Sequence, residues 1–140
     1  MQEDYSATYW NNVEEEKAKE WWVNDPTDPK LKQYLIRSGL LAQFTFMAAI
    51  LEKFTMNRGS SHQSKISVLD VASGSGWASS LLSKFEFVER VMAVEFSLHR
   101  LGFVFENTVA NLGGHEDKID RYLGSFYDLK LPDRSVDVVF

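Results

Sequence analysis

No cysteine occurs in the 140 residues. Disulfide stapling, thiolate metal sites and a cysteine nucleophile are therefore excluded, and a reducing, cytoplasmic setting suits such a chain. Basic charge is also scarce. Fifteen Lys and Arg stand against 20 Asp and Glu, a formal net charge of -5. With the cations scattered, that balance argues against a nucleic-acid footprint spread over the whole surface and leaves room only for a local basic patch. The opening stretch, MQEDYSATYW, is acidic and lacks the apolar centre of a secretory signal. Long apolar runs are missing too. The richest, GLLAQFTFMAAIL at 39–51, spans roughly 13 residues where a membrane helix needs about 20, and it contains Gln43 and Thr45. It reads as a buried helix, and no membrane partner is expected. His62, His99 and His115 are not grouped with acids at ligand spacing, so no metal site is read. No internal repeat or low-complexity tract is visible.

The chain does hold enough apolar material for a core. It is 44% hydrophobic and 14% aromatic, which argues against wholesale disorder. Its length is that of one domain or less. Residues 5 to 22 read as an amphipathic helix: Tyr5, Tyr9, Trp10, Val13, Trp21 and Trp22 recur at helical spacing against the solvated face of EEEKAKE. Asp28 followed by Pro29 reads as an N-cap and first helical position. A second helical stretch runs to about Met56 with a bend at Ser38–Gly39, and the polar stretch 57–65 is a loop.

From Lys65 the pattern changes. ISVLDV is a buried strand, WASSLLSKF a helix and VERVMAVEF a second strand. SLHRLGFVFENTVANL is a second helix, and GGHED a turn that leaves His115 in solvent. DRYLGS is a third strand, YDLKLPDRS a loop and VDVVF a fourth strand. Strands alternating with helices imply a parallel sheet. Such sheets take ligands beyond the carboxyl ends of their strands.

The first strand leads into LDVASGSGW, where Asp70 precedes Ala72, Ser73, Gly74, Ser75 and Gly76. Small residues between a strand and a helix let a ligand approach the backbone. The dinucleotide fingerprint G-x-G-x-x-G is incomplete, because Ser79 stands in its third place. A carboxylate at Asp70 also suits a doubly charged pyrophosphate poorly. An acid beside a backbone cradle fits a ligand carrying both an ammonium and a carboxylate. Asp70 has a second reading, as a strand-end acid that caps the following helix. Trp77 reads as packing.

VLDVASGSG resembles the first motif of the class I S-adenosylmethionine-dependent methyltransferases, with Ala72 in the place of the first glycine. Two further stretches fit the same family. Glu95 closes the second strand about 20 residues on, where an acid can accept both hydroxyls of a ribose. LGSFYDLKLPDRSVDVVF is similar to the family's third-strand loop and fourth strand, matching at Gly124, Asp128, Leu129, Pro132, Asp133, Ser135 and Asp137. Ser125 stands where the family has its adenine-contacting Asp, a departure that leaves a weaker, neutral hydrogen bond.

The resemblance covers residues 66 to 140 and implies an α/β, Rossmann-like core, strands one to four of a seven-stranded sheet, preceded by N-terminal helices. The expected division is a helical cap at 1–60 and a cofactor-binding half domain at 61–140. The aromatic N-terminal helix is then either core or a lid on the site. The implied cofactor is S-adenosylmethionine. The residues expected to hold it are Asp70, Ala72, Ser73, Gly74, Ser75, Gly76, Glu95, Phe96, Ser125 and Phe126. The implied activity is methyl transfer to a small-molecule or other acceptor, and no catalytic base can be named. Two other classes stay open: an NAD(P)-dependent oxidoreductase and a non-catalytic module of the same fold. The uncapped VDVVF terminus suggests part of a longer protein, or self-association through an exposed fourth strand.

Overall fold

A computed structural model describes residues 25–57 and 65–140. The helix read over 5–22 and the loop around His62 lie outside the described residues. Helix α1, Lys30–Arg37, starts where the Asp28 carboxylate accepts the Lys30 N–H at 2.9 Å. Pro29 occupies the capping position itself, so the helix starts one residue later than the sequence suggests. The helix ends where the Ser38 hydroxyl donates to the Tyr34 carbonyl at 2.8 Å and Gly39 turns left-handed at φ +77°. Helix α2, Leu40–Asn57, leaves at 75° to α1, so the bend at Ser38–Gly39 is present. Among the described residues no single helix is long and apolar enough to cross a membrane; α1 and α2 are so only as a pair bent by 75°.

Strand β1, Ile66–Val71, is followed by the glycine loop and helix α3, Trp77–Leu82. Strand β2, Val88–Glu95, leads into a π-helical turn at Arg100–Val104 that continues as helix α4, Phe105–Leu112. The single helix expected over 97–112 thus has a wider first turn. A short 3₁₀ turn precedes strand β3, Ile119–Leu123, and strand β4 is Val138–Val139. All pairings are parallel, in the order β3-β2-β1-β4. β4 is shorter than VDVVF suggests, yet it is pinned at both ends. Asp137 donates its N–H to the Ser67 carbonyl at 2.9 Å while its carboxylate accepts the Ser67 N–H at 2.8 Å. Phe140 N–H donates to Leu69 at 2.8 Å.

The main core lies where α2, α3 and α4 cover one face of the sheet, with Phe44, Leu82, Val91 and Phe105 buried among the strands' Ile66 and Val68. Leu31 and Leu35 of α1 pack on Val104 and Leu112. A 14-residue crossover without a helix, 124–137, lays Leu131 and Val136 over Leu69, Met92 and Val94 on the opposite face. The near-continuous apolar runs of β1 and β2 follow from burial on both faces.

Gly76 shows how closely the layers meet. It sits at φ +81°, and a Cβ there would fall 2.4 Å from the Phe105 ring. The ring is fully buried and has no room to retreat. Gly76→Ala is expected to destabilise the chain by about 2–4 kcal/mol, the sum of overpacking and left-handed strain. Gly113→Ala is the control, also left-handed at φ +68° but with open space around it; its expected loss is only about 1–2 kcal/mol. Urea unfolding of both variants measures the difference, and equal losses would show that the ring contact is not tight.

Candidate functional site

The site is built around the end of β2. Parallel register sets Val71 of β1 beside Val94 and Leu123 of β3 beside Glu95. The two flanking loops are then tied to β2's last carbonyls. Ser73 N–H donates to Val94 at 3.0 Å, and Gly124 N–H donates to Glu95 at 3.0 Å. The glycine loop and the β3 loop therefore open on either side of one residue, Glu95.

The Glu95 side chain is 5% exposed. One carboxylate oxygen, Oε1, accepts the N–H of Phe96 at 2.9 Å and of Ser97 at 2.8 Å. The other, Oε2, accepts the N–H of Gly74 at 2.7 Å. Backbone donors thus hold a buried charge, as burial requires. Beside it lies a cavity of about 180 Å³ lined by Ala72, Glu95, Phe96, Arg100 and Phe126. Phe126 is 50% exposed and lies against Tyr127, with ring centroids 4.2 Å apart. A second cavity, about 340 Å³, shares Ala72 and is lined by Ser73, Gly74, Ser75, Trp77 and, from the α1–α2 bend, Tyr34 and Leu40.

The loop between the cavities turns on three left-handed residues, Ala72 at φ +55°, Gly74 at φ +57° and Gly76 at φ +81°. Alanine at the first of them carries a conformation that residues with a Cβ take up at some expense. A Cβ on Gly74 would meet only the Ala72 carbonyl oxygen, at 3.9 Å. Gly74 therefore leaves space on the open side of the loop.

Asp70 is placed differently. It is 3% exposed and does not line these two cavities. Its Oδ2 accepts the Ser79 hydroxyl at 2.5 Å, and the carboxylate also takes the Ser79 backbone N–H. Helix α3 has glycine at its capping position and no side-chain cap of its own. An acid from β1 supplies the acceptor instead, which is the capping arrangement. Burial pushes the Asp70 carboxyl up to about 6; the two Ser79 bonds oppose this, and the charge of Glu95 adds to it.

Of the expected site residues, Ala72, Glu95, Phe96 and Phe126 meet around the first cavity, and Ala72, Ser73, Gly74 and Ser75 around the second. Ser125 is not brought into either. It lines a separate cavity of about 80 Å³ with Asp128 and Leu131, and its hydroxyl oxygen accepts the Tyr127 N–H at 3.2 Å. Gly76 is buried under Phe105 and lines neither cavity. Trp77 does pack, edge-on to Phe44 and Phe140, but it also lines the second cavity. Arg100, Tyr34 and Leu40 escaped the sequence reading. Helical periodicity marks a face of α1, but nothing local tells which loop that face meets. Among the described residues no three His, Asp or Glu side chains gather as metal ligands.

No protein-family model and no curated protein sequence matches the chain. Solved structures do. Haemonchus contortus phosphoethanolamine N-methyltransferase 1, in complex with phosphoethanolamine and S-adenosylhomocysteine, superposes with a TM-score of 0.52 at 18% identity, over 94% of this chain and 23% of that one. The YcgJ protein of Bacillus subtilis gives 0.48 at 19% identity, over 65% of this chain and 35% of that one. A chain of the complex between the Haloferax volcanii Trm112 methyltransferase activator and a methyltransferase gives 0.44 at 23% identity, over 70% and 42%. The chain thus spans between about a quarter and two fifths of the length of these structures.

The raised Asp70 pKa has a definite consequence for stability. The folded chain binds this proton more tightly than the unfolded chain, whose aspartate titrates at 3.8. The penalty of the buried charge is full above about pH 6 and gone below about pH 4, a gain of about 3 kcal/mol as the pH falls through that window. Asp70→Asn keeps an acceptor for Ser79 and removes the titration. The difference between wild-type and variant urea midpoints is expected to move in favour of wild type from pH 7 to pH 4. A difference that stays constant over that range would mean Asp70 does not titrate there.

Proposed function

Taking the class I methyltransferase fold as the premise, we propose that this chain forms the cofactor-binding part of an S-adenosylmethionine-dependent methyltransferase acting on a small-molecule or other acceptor. The observation that carries the reading is the buried Glu95 carboxylate at the mouth of a cavity on which both strand-end loops converge. That donor set fits the cofactor. Glu95 suits ribose hydroxyls, Phe96 and Phe126 offer faces for adenine, and Gly74 and Ser75 line space for the methionine part. The bound S-adenosylhomocysteine in a structure of the same fold is consistent with this assignment.

When bound, the cofactor supplies an activated methyl group on sulfur. The chain's own contribution is positioning. A rigid β2 end fixes Glu95, and backbone bonds from Val94 and Glu95 fix the loops beside it. Asp70 acts at one remove, holding the start of α3 and with it the loop's far end. The acceptor would enter from the side of Tyr34, Leu40 and Trp77, where the second cavity opens. Against a nicotinamide dinucleotide stands Ser79, fully buried on Asp70 where the fingerprint would place a third glycine or alanine.

Calorimetry with S-adenosylmethionine, S-adenosylhomocysteine and NAD tests the assignment directly; binding of NAD alone would overturn it. Glu95→Ala is expected to weaken S-adenosylhomocysteine binding by roughly 1–3 kcal/mol, the range for hydrogen bonds to a charged group. An unchanged affinity would take Glu95 out of the site. Gly74→Val is expected to abolish binding with secondary structure retained, since a branched side chain at φ +57° is strained and fills the open side of the loop. Wild-type affinity in that variant would show that the loop is not the cradle.

A further inference from the structure

We propose that Glu95 is also a latch: it holds the glycine loop against β2 in the ligand-free chain, and the diol of a bound nucleoside releases the loop by displacing the Gly74 N–H. This rests on the cofactor reading for the nucleoside, though the latch itself needs no ligand.

The argument is a count of acceptor positions. A carboxylate offers about four lone-pair positions, two on each oxygen. Oε1 is filled by the N–H groups of Phe96 and Ser97. Oε2 already holds Gly74 N–H at 2.7 Å, which leaves one position. A ribose diol brings two O–H donors. For both to bond Glu95, one of them has to replace a backbone N–H.

The three bonds differ in how readily they exchange. Phe96 and Ser97 follow Glu95 directly in the chain, so their N–H groups are held at Oε1 by connectivity. Breaking either means turning the Glu95 carboxylate away from its own strand end or rebuilding the end of β2. Gly74 lies 21 residues away, in a loop with open space on the side of its missing Cβ. It is the donor that can leave. Once released, its N–H faces the cavity it lines with Ser73 and Ser75. There it can serve an acceptor on the same ligand, such as a carboxylate. A diol bound at the Glu95 cavity thus prepares the neighbouring cavity for an anionic group, and Glu95 acts as a positioning residue as well as a contact.

Amide hydrogen exchange on the ¹⁵N-labelled full chain tests this. In the ligand-free wild type, the Gly74 amide is expected to exchange roughly tenfold or more slowly than an unstructured glycine. Glu95→Gln puts an NH₂ against at least one of the three backbone N–H groups, so Gly74 protection should fall to near the unstructured rate while Val91 and Leu82 stay protected. An unprotected Gly74 in the wild type, or equal Gly74 rates in the two proteins, overturns the latch. The ligand arm uses adenosine and 2′,3′-dideoxyadenosine at saturation. Adenosine should speed Gly74 exchange by a similar factor, and the dideoxy compound should leave it unchanged. Identical effects of the two nucleosides overturn the displacement step. If neither nucleoside nor S-adenosylhomocysteine binds, the cofactor reading fails and the displacement step with it, while the ligand-free comparison still decides the latch.

Discussion

The parallel pairing of β2 with its two neighbours is the constraint on which the site depends. Its register leaves β1 and β3 ending level with Val94 and Glu95, so the N–H groups of Ser73, two residues past β1, and of Gly124, directly after β3, reach β2 carbonyls. A one-residue slip would turn every strand side chain to the opposite face. It would bury the wrong side of β1 and carry the Glu95 carboxylate away from the glycine loop. The apolar faces that fix the register therefore also fix where the two loop ends stand beside Glu95.

Two buried acids on adjacent strands divide the work. Glu95 is held by three backbone N–H groups at the rim of a cavity, whereas Asp70 faces inward to Ser79. Backbone donors can keep a carboxylate charged inside a protein, because each N–H replaces a water. Burial pushes the Asp70 carboxyl up, the two Ser79 bonds only partly oppose it, and the charge of Glu95 adds to the rise. Neutral or charged, Asp70 ties the start of α3 to β1. That tie matters because Gly76 is there for its backbone angle and its lack of a Cβ, and glycine cannot cap a helix with a side chain.

The crossover from β3 to β4 makes a similar economy. It has no helix, yet Leu131 and Val136 cover the sheet, and Asp137 closes a two-bond ring with Ser67. A two-residue strand holds its place because the chain on both sides of it is bonded to β1.

Much of this was legible in the order of residues. The alternation of β and α elements, the bend at Ser38–Gly39, the glycine loop and the acid at the end of β2 are local or periodic features, and local conformational preference is enough to write them. The resemblance in ASGSG and in the β3 loop carried the fold as well, and the superposition on a methyltransferase agrees. Tertiary structure alone decided where side chains more than one element apart would meet. Asp70 could face a ligand or a helix, and the packing of α3 on β1 turned it to Ser79. Ser125 and Phe126 are neighbours in the chain, yet they face different cavities because the tight turn at 125–128 points successive side chains apart. Tyr34 and Arg100 came to the site only through the docking of α1 and the π-helical turn, contacts set by burial of distant apolar faces and written in no single stretch of sequence.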